Sequence, residues 1–348
     1  LAREMTMALR LHLSGEEEKR VVESHTVNPE AYQLYLQGRY WYNKTSEEGL
    51  RNGIDYFMQA IAKDPAYALA YSGLAACHND LAEFVHVHPS EGYPSAREAA
   101  LESLKRDNTI PEAHAVLGWI KATYDWDWSG GEQAFERAIV LNPNDASARF
   151  LYGDMLWLQG RTGSNAQLKR ALEIDPISVR ANMQLGFDSY FAGQYEEAIR
   201  QTRKAIELDP LFVPGHVVLC LSHLQQSSYQ QGIDAVKKMV TAFPNSTDAL
   251  SVLGYAYAVA KREKDARKVL VDLSALADEN NRYVPPGSVA AIYAALGEKD
   301  QAFKWLNKAC EDRSILGVGP FGYLKLHPAF DPLRADPRFA ELLRRVNL

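Results

Sequence analysis

The sequence predicts an all-α protein, an α-α superhelix of about eight helix-turn-helix repeats ended by a C-terminal capping helix. Three observations carry that expectation. Pro176, Pro210 and Pro244 stand 34 residues apart, with Asp278 continuing the series. The same interval separates Leu185-Gly186, Leu219-Cys220 and Leu253-Gly254, and again Ala198, Gly232 and Ala266. Strand patterning is essentially missing. A fixed period of this length marks a chain of stacked supersecondary units, each burying its apolar face only against its neighbours.

The fifth unit, 177–210, shows the logic most fully. Gly186 and Ala198 are small where the two helices of the unit cross closely. Pro210 ends the second helix, because its ring cannot continue the helix and it pushes Asp209 out of the α region. The other units follow in order. The first, about 30–65, has Gly38, Phe57, Ala60 and Pro65, with about three extra residues near Thr45. The second, 66–108, has Tyr71, Leu74, Ala75 and Ala96, and a long insertion at 79–95 separates its helices. The third, 109–143, has His114, Leu117, Gly118, Phe135, Ala138 and Pro143. The fourth, 144–176, has Gly153, Leu168, Ala171 and Pro176 and is one residue short at 160–165, which obscures its second helix start. The sixth (211–244) and seventh (245–278) follow the fifth closely. The eighth, 279–312, is offset by two residues and has Ala302, Leu306 and Ala309.

The chain therefore divides into an N-terminal helix and linker (1–27), the repeat array (28–312) and a C-terminal loop with a capping helix (313–348). The cap has Asp336 as N-cap, Pro337 in the first helical position, and Phe339, Leu342, Leu343 and Val346 on one face.

Composition narrows the function. With 47% hydrophobic and 24% charged residues the chain is not disordered. Its 38 basic against 44 acidic residues leave −6, so no direct nucleic-acid partner is expected. Cys77, Cys220 and Cys310 form neither a disulfide framework nor a zinc spacing, which suits a reducing compartment. The longest uncharged run, between Asp209 and Asp234, is broken by Pro214, His216, His223 and a polar tract at 225–231. Its apolar part falls short of the ~20 residues a bilayer needs. Arg3, Glu4 and Arg10 argue against a signal peptide, and the chain reads as a piece of something longer.

The repeat pattern puts Leu-Gly or Leu-Ala early in a first helix, Ala and a bulky residue in the second, and Pro at the end. It resembles the tetratricopeptide repeat, which implies a right-handed superhelix. Glu30-Ala-Tyr-Gln-Leu-Tyr-Leu-Gln-Gly-Arg-Tyr-Trp-Tyr42, Tyr124-Asp-Trp-Asp-Trp128 and Asp331-Pro-Leu-Arg-Ala-Asp-Pro-Arg-Phe339 are similar to the C-terminal repeat region of multidomain bacterial signalling proteins. Those proteins carry a kinase, winged-helix or nucleotide cyclase front end, often with a TolB-like domain between. The junction at 2–13 fits the same group, whereas Gly163-Ser164-Asn165-Ala166 departs from its Glu-Ala. The resemblance brings no catalytic residue. It implies the sensor or scaffold arm of a regulator, cytoplasmic, or else the periplasmic arm of a membrane-anchored one.

Other motifs read as structural. Gly317-Val-Gly319-Pro-Phe-Gly322 matches GxGxxG in letters, but Pro320 interrupts it and no long helix can follow. His114, His216, His78 and His223 occupy packing positions of the repeat, and His86 and His88 lie in the insertion near Asp80 and Glu83. Glu196-Glu197 and Glu16-Glu17-Glu18 read as solvated faces or linker. Asn43-Lys44-Thr45 and Asn245-Ser246-Thr247 fit a glycosylation sequon that means little in a bacterial cytosol. No GxSxG, HExxH, CxxC or P-loop occurs. No enzyme, cofactor or metal is expected.

The concave groove is the candidate site. In tetratricopeptide arrays it is lined by the first helix of each unit. The register then points to Tyr35, Arg39, Tyr42, Trp119, Phe150, Asp154, Trp157, Arg180, Met183, Phe187, Tyr190 and Tyr255. Nine of the 32 lining positions are aromatic, against 10% of the whole chain, and exposed aromatics concentrated on one face suggest a partner. They could equally pack against adjacent units or the protein's own terminal segments. Trp157, Phe187 and Tyr190, with Phe150 and Met183, would make an apolar strip flanked by Arg180 and Asp154, suited to an amphipathic helix or extended apolar peptide. The Lys and Asn of a chaperone-type carboxylate clamp are missing. The expected function is a non-catalytic interaction scaffold that holds a protein or peptide; the alternative is a small-molecule effector domain.

Overall fold

Seventeen α-helices succeed one another in the computed structural model, which describes residues 26–348 except 27, 45, 162, 281, 317, 318, 320 and 321. Apart from Thr26, the expected helix and linker over 1–27 lie outside these residues. The helices pair as hairpins: α1 (Pro29–Tyr42) with α2 (Glu47–Lys63), α3 (Ala68–Glu83) with α4 (Pro89–Arg106), α5 (Pro111–Trp119) with α6 (Trp128–Leu141), and α7 (Ala146–Leu158) with α8 (Ser164–Ile174). Then come α9 (Val179–Phe191) with α10 (Tyr195–Leu208), α11 (Val213–Gln225) with α12 (Tyr229–Ala242), α13 (Thr247–Val259) with α14 (Glu263–Asn280), and α15 (Pro286–Ala295) with α16 (Lys299–Glu311). A 3-10 turn (Pro328–Leu333) and α17 (Pro337–Arg345) follow.

Local chemistry sets the helix ends. The side chains of Asn28, Ser46, Asp145, Ser178 and Ser246 each accept a backbone N–H of the first turn behind them. Asp64, Asn142, Asp175 and Asp209 leave the helical region just before a proline and stop α2, α6, α8 and α10.

Two expectations need adjustment, the insertion of the second unit and Asp278, and two units show detail the period did not give. The insertion at 79–95 does not hold the second unit's helices apart. It lengthens both, leaving only residues 84–88 between them, with Val85 at φ 53° and buried. In the third unit a π-helical turn (Ile120–Tyr124) absorbs an extra residue, and Thr123 Oγ1 donates to the Trp119 carbonyl at 2.9 Å. The second helix of the fourth unit starts at Ser164, after Gly163 at φ 108°. Asp278 ends nothing, because α14 runs through it to Asn280.

The units turn far enough for the last to meet the first three. Arg282 donates two hydrogen bonds to Glu47, at 2.9 and 2.7 Å, and Tyr283 meets the His88 ring edge-on at 4.6 Å. Arg313 donates to the Tyr124 carbonyl at 2.9 Å. Beyond it, Trp128 Nε1 donates to the Val346 carbonyl at 3.3 Å and Asn347 Nδ2 to that of Trp126 at 3.1 Å. The expected capping helix is present. Asp336 accepts from the Arg338 N–H, Phe339, Leu342 and Val346 are buried, and α17 lies on α16, where Arg338 covers the Phe303 ring.

Candidate functional site

The first helices of the units line the interior of the superhelix, and eleven of the twelve candidate residues fall into two groups there. The first is polar. Arg39 on α1 pairs with Glu112 on α5 at 2.6 Å, packs on the Tyr42 ring, and shares Glu112 with the Ser72 hydroxyl. Tyr35 packs between Phe57 and Tyr67, and burial pushes its hydroxyl up to about 12. Arg180 on α9 reaches 100 residues back to α3, where it binds Asp80 at 2.8 Å and Glu83 at 3.0 Å. Its guanidinium lies over the rings of Phe84 and Phe150.

Arg180 was expected as a flanking groove residue. It is the largely buried hub of a polar network, its side chain 17% exposed. Asp154, 4% exposed, and Asp188 both accept from Gln184 Nε2, at 3.3 and 3.2 Å. Burial raises the carboxyl of Asp188 to about 6 and lifts those of Asp154 and Glu83 above the ordinary range. Asp248 on α13 is likewise raised by burial, to about 8.

The second group is aromatic, and it is occupied. Beyond α16, residues 322–333 run along the interior. The Tyr323 ring lies 5.3 Å from Trp157, 5.1 Å from Phe187 and 5.7 Å from Phe191. The His327 ring lies 6.0 Å from Tyr190, 5.8 Å from Phe191 and 6.4 Å from Tyr255. A helical turn sets these two rings on one side, since the N–H groups of Leu326 and His327 both donate to the Tyr323 carbonyl. Phe150, Phe187, Tyr190 and Tyr255 are buried, Trp157 and Met183 half-buried. Trp119 lies wholly within the core. The strip is therefore not an open surface: the chain's own C-terminal segment covers it.

The sequence reading missed three participants, Phe191, Tyr323 and His327. Phe191 stands next to a lining position. The other two lie outside the repeat period, where only their four-residue spacing was a signal.

The remaining motifs sit apart from this face. His86 approaches Glu47 and His88 approaches Asp312, both at 3.7 Å, so the pair diverges. Among the described residues no cluster of three or more His, Cys, Asp or Glu is arranged to hold a metal ion. The three cysteines are free and buried. Of the GxGxxG stretch only Gly319 and Gly322 lie within the described residues; the Gly319 N–H donates to the Glu83 carbonyl at 3.2 Å. His114 and His216 hydrogen-bond the carbonyls of Asn108 and Pro210, six residues before them. No helix among the described residues is long and apolar enough to cross a membrane.

Comparison with known proteins fits this geometry. The tetratricopeptide repeat family model matches residues 127–178. The chain is 23% identical over 183 residues to the transcriptional regulator HilA of Salmonella typhimurium, covering 52% of this chain and 32% of HilA. It thus spans about a third of the length of the curated relatives it matches. Among solved structures, a monomeric mutant of IFIT1 with Gppp-AAAA superposes over 91% of this chain and 71% of its own with a TM-score of 0.63 at 12% identity. The human IFIT1 dimer with PPP-AAAA gives 0.57 over 76% of this chain and 69% of its own at 14% identity. At these identities the likeness is one of fold, an all-α repeat superhelix.

Proposed function

We propose that this chain, an array of tetratricopeptide repeats, is the non-catalytic arm of a larger bacterial regulator and holds a peptide, helix or partner domain against its interior face. One observation supports the reading most. The interior aromatics Trp157, Phe187, Tyr190, Phe191 and Tyr255 already seat a separate stretch of chain by its rings. Clustered aromatics of this kind are the usual anchors of protein recognition. The alignment with HilA supports a regulator, whose output domain would lie in the part of such proteins that this chain does not match. Three buried free thiols favour the cytoplasmic side. The IFIT1 structures hold PPP-AAAA and Gppp-AAAA, but a net charge of −6 and an interior lined with carboxylates oppose a polyanion here.

A thermal-shift comparison tests the proposal. Peptides selected from a random displayed library against the full chain should raise its melting temperature in a saturable way, by about 2.7 kcal/mol of added stability at a hundred times Kd. A panel of metabolites that does so, with no peptide able to, would replace this reading with a small-molecule effector site.

A further inference from the structure

The outer face of the array carries a row of cations that the interior does not explain. Arg137, Arg170, Lys204 and Lys238 each stand six residues before the proline that closes their unit, Pro143, Pro176, Pro210 and Pro244. They fall on the second helices α6, α8, α10 and α12, and all four are exposed. Lys169 and Arg203, also exposed, widen the row by one residue on α8 and α10. Each of these helices packs on the first helix of the next unit, so the rungs follow one another across units three to six. The row has ends. The same place in the second and seventh units holds Glu102 and Asp272.

Two arginines of the row differ from all others. Among the described residues, every other arginine makes a hydrogen bond or an ion pair within the chain. Arg137 and Arg203 make neither. A guanidinium is a weakly hydrated, rigid fork that matches a carboxylate. Unpaired on an exposed helix, these two are open to carboxylates from outside.

Curvature decides which anion fits. The array turns until its last unit meets its first three, so the row runs along the outside of a bend. A flat bilayer or a straight duplex touches such an arc at one rung, whereas a flexible chain can follow it. Glu173 and Glu207 lie one turn beyond the rungs of α8 and α10. They repel a nucleic acid, charged at every nucleotide, more than a peptide whose carboxylates can be spaced to miss them.

We propose that this row is a second binding surface, and that its partner is an acidic, unfolded protein segment laid across α6, α8, α10 and α12. Each exposed pair contributes little and is screened by salt, so binding comes from several rungs engaged together. A net charge of −6 attracts no acidic segment, which leaves the row itself to do so. The surface lies on other helices than the interior face and does not depend on what that face holds.

The probe is a fluorescein-labelled glutamate peptide of about twelve residues, roughly 40 Å long when extended. Its anisotropy is read against the full chain at low salt. It should bind saturably, and the double variant Arg137→Gln, Arg203→Gln should weaken it about fivefold or more. The control Lys264→Gln, Lys268→Gln removes the same charge from exposed positions outside the row and should change binding less than about twofold. Equal loss in both variants, or no saturable binding to the unaltered chain, overturns the proposal. So does tighter binding of an oligothymidylate of equal length or of phosphatidylserine vesicles, which would name nucleic acid or a membrane instead. A second measurement needs no variant: acetylation of the unaltered chain with and without the peptide, read by mass spectrometry. Lys169, Lys204 and Lys238 should be protected, and Lys264 and Lys268 should not. Protection that spares the row would place the peptide elsewhere and defeat the proposal.

Discussion

Gly186 shows how much one position can decide. A Cβ built there would lie 2.1 Å from Thr202 Oγ1 and 3.2 Å from the Ala198 carbonyl. The Thr202 side chain can rotate away from a methyl, but the backbone of α10 cannot move from a larger group. Gly186→Leu should therefore cost at least about 1–3 kcal/mol in urea melts, and Gly186→Ala less. Arg180 is the second such residue. Its removal leaves Asp80 and Glu83 buried without their cation, which typically costs roughly 3 kcal/mol or more. Arg180→Ala should lower the denaturation midpoint far more than Arg170→Ala, whose guanidinium serves an exposed pair. Gly186 was legible because its neighbours repeat every 34 residues; the Arg180 partner was not, because no local period points from α9 to α3. The position four residues before Gly118, Gly153, Gly186 and Cys220 was half legible. His114, Arg149, Asn182 and His216 all fill it as bulky residues should, yet each gives a side-chain hydrogen bond to the carbonyl six residues earlier, securing the turn before its helix.

Among the elements, the segment 322–333 responds most to conditions. The titratable groups that face Tyr323 and Arg180 are Asp80 and Glu83 on α3, Asp154 on α7, Asp188 on α9 and Tyr42 on α1. Burial raises the carboxyls of Asp154, Asp188 and Glu83, so the folded state holds their protons more tightly than the unfolded chain does. Their contribution to the seated state is complete below the ordinary carboxylate range, about 4. It is lost as pH rises through about 6 and beyond. Hydrogen exchange in 322–333, corrected for intrinsic rate, should accordingly quicken between pH 5 and pH 8. Flat protection across that window would mean that these carboxylates stay hydrated. The Glu47–Arg282 clasp titrates the other way. Burial works against ionisation of Glu47, but hydrogen bonds from Arg282 and Arg51 prevail and hold it near 2, so the clasp persists above the ordinary range and fails only in strong acid. Most of helices α1 to α16 were readable from the sequence because a small residue marks the crossing in each unit and a capping side chain or a proline marks many of their ends; the start of α8 and the stop of α14 were not. The path of 322–333 was not, since Tyr323 and His327 find their partners on the first helices 72 to 166 residues away.

At the scale of the molecule, closure is the property that periodicity alone did not reveal. Eight units and a cap were expected. That the cap would also meet the third unit, through Trp128 and Val346, depends on the rotation accumulated over the units between. Ending the chain at Asp312 removes α17 and the segment together and uncovers Phe187, Tyr190 and Tyr255. The truncated chain should aggregate or melt well below the full one; a soluble monomer with an unchanged melting temperature would show that neither element closes the array. The most direct measurement of the central claim, that the interior aromatic face holds this segment, is a double-mutant cycle between Phe187 and Tyr323, 136 positions apart in the sequence and 5.1 Å apart between ring centroids. Urea melts of Phe187→Leu, Tyr323→Leu and the pair should give a coupling of about 0.5–1.5 kcal/mol. Additivity within about 0.3 kcal/mol would contradict it.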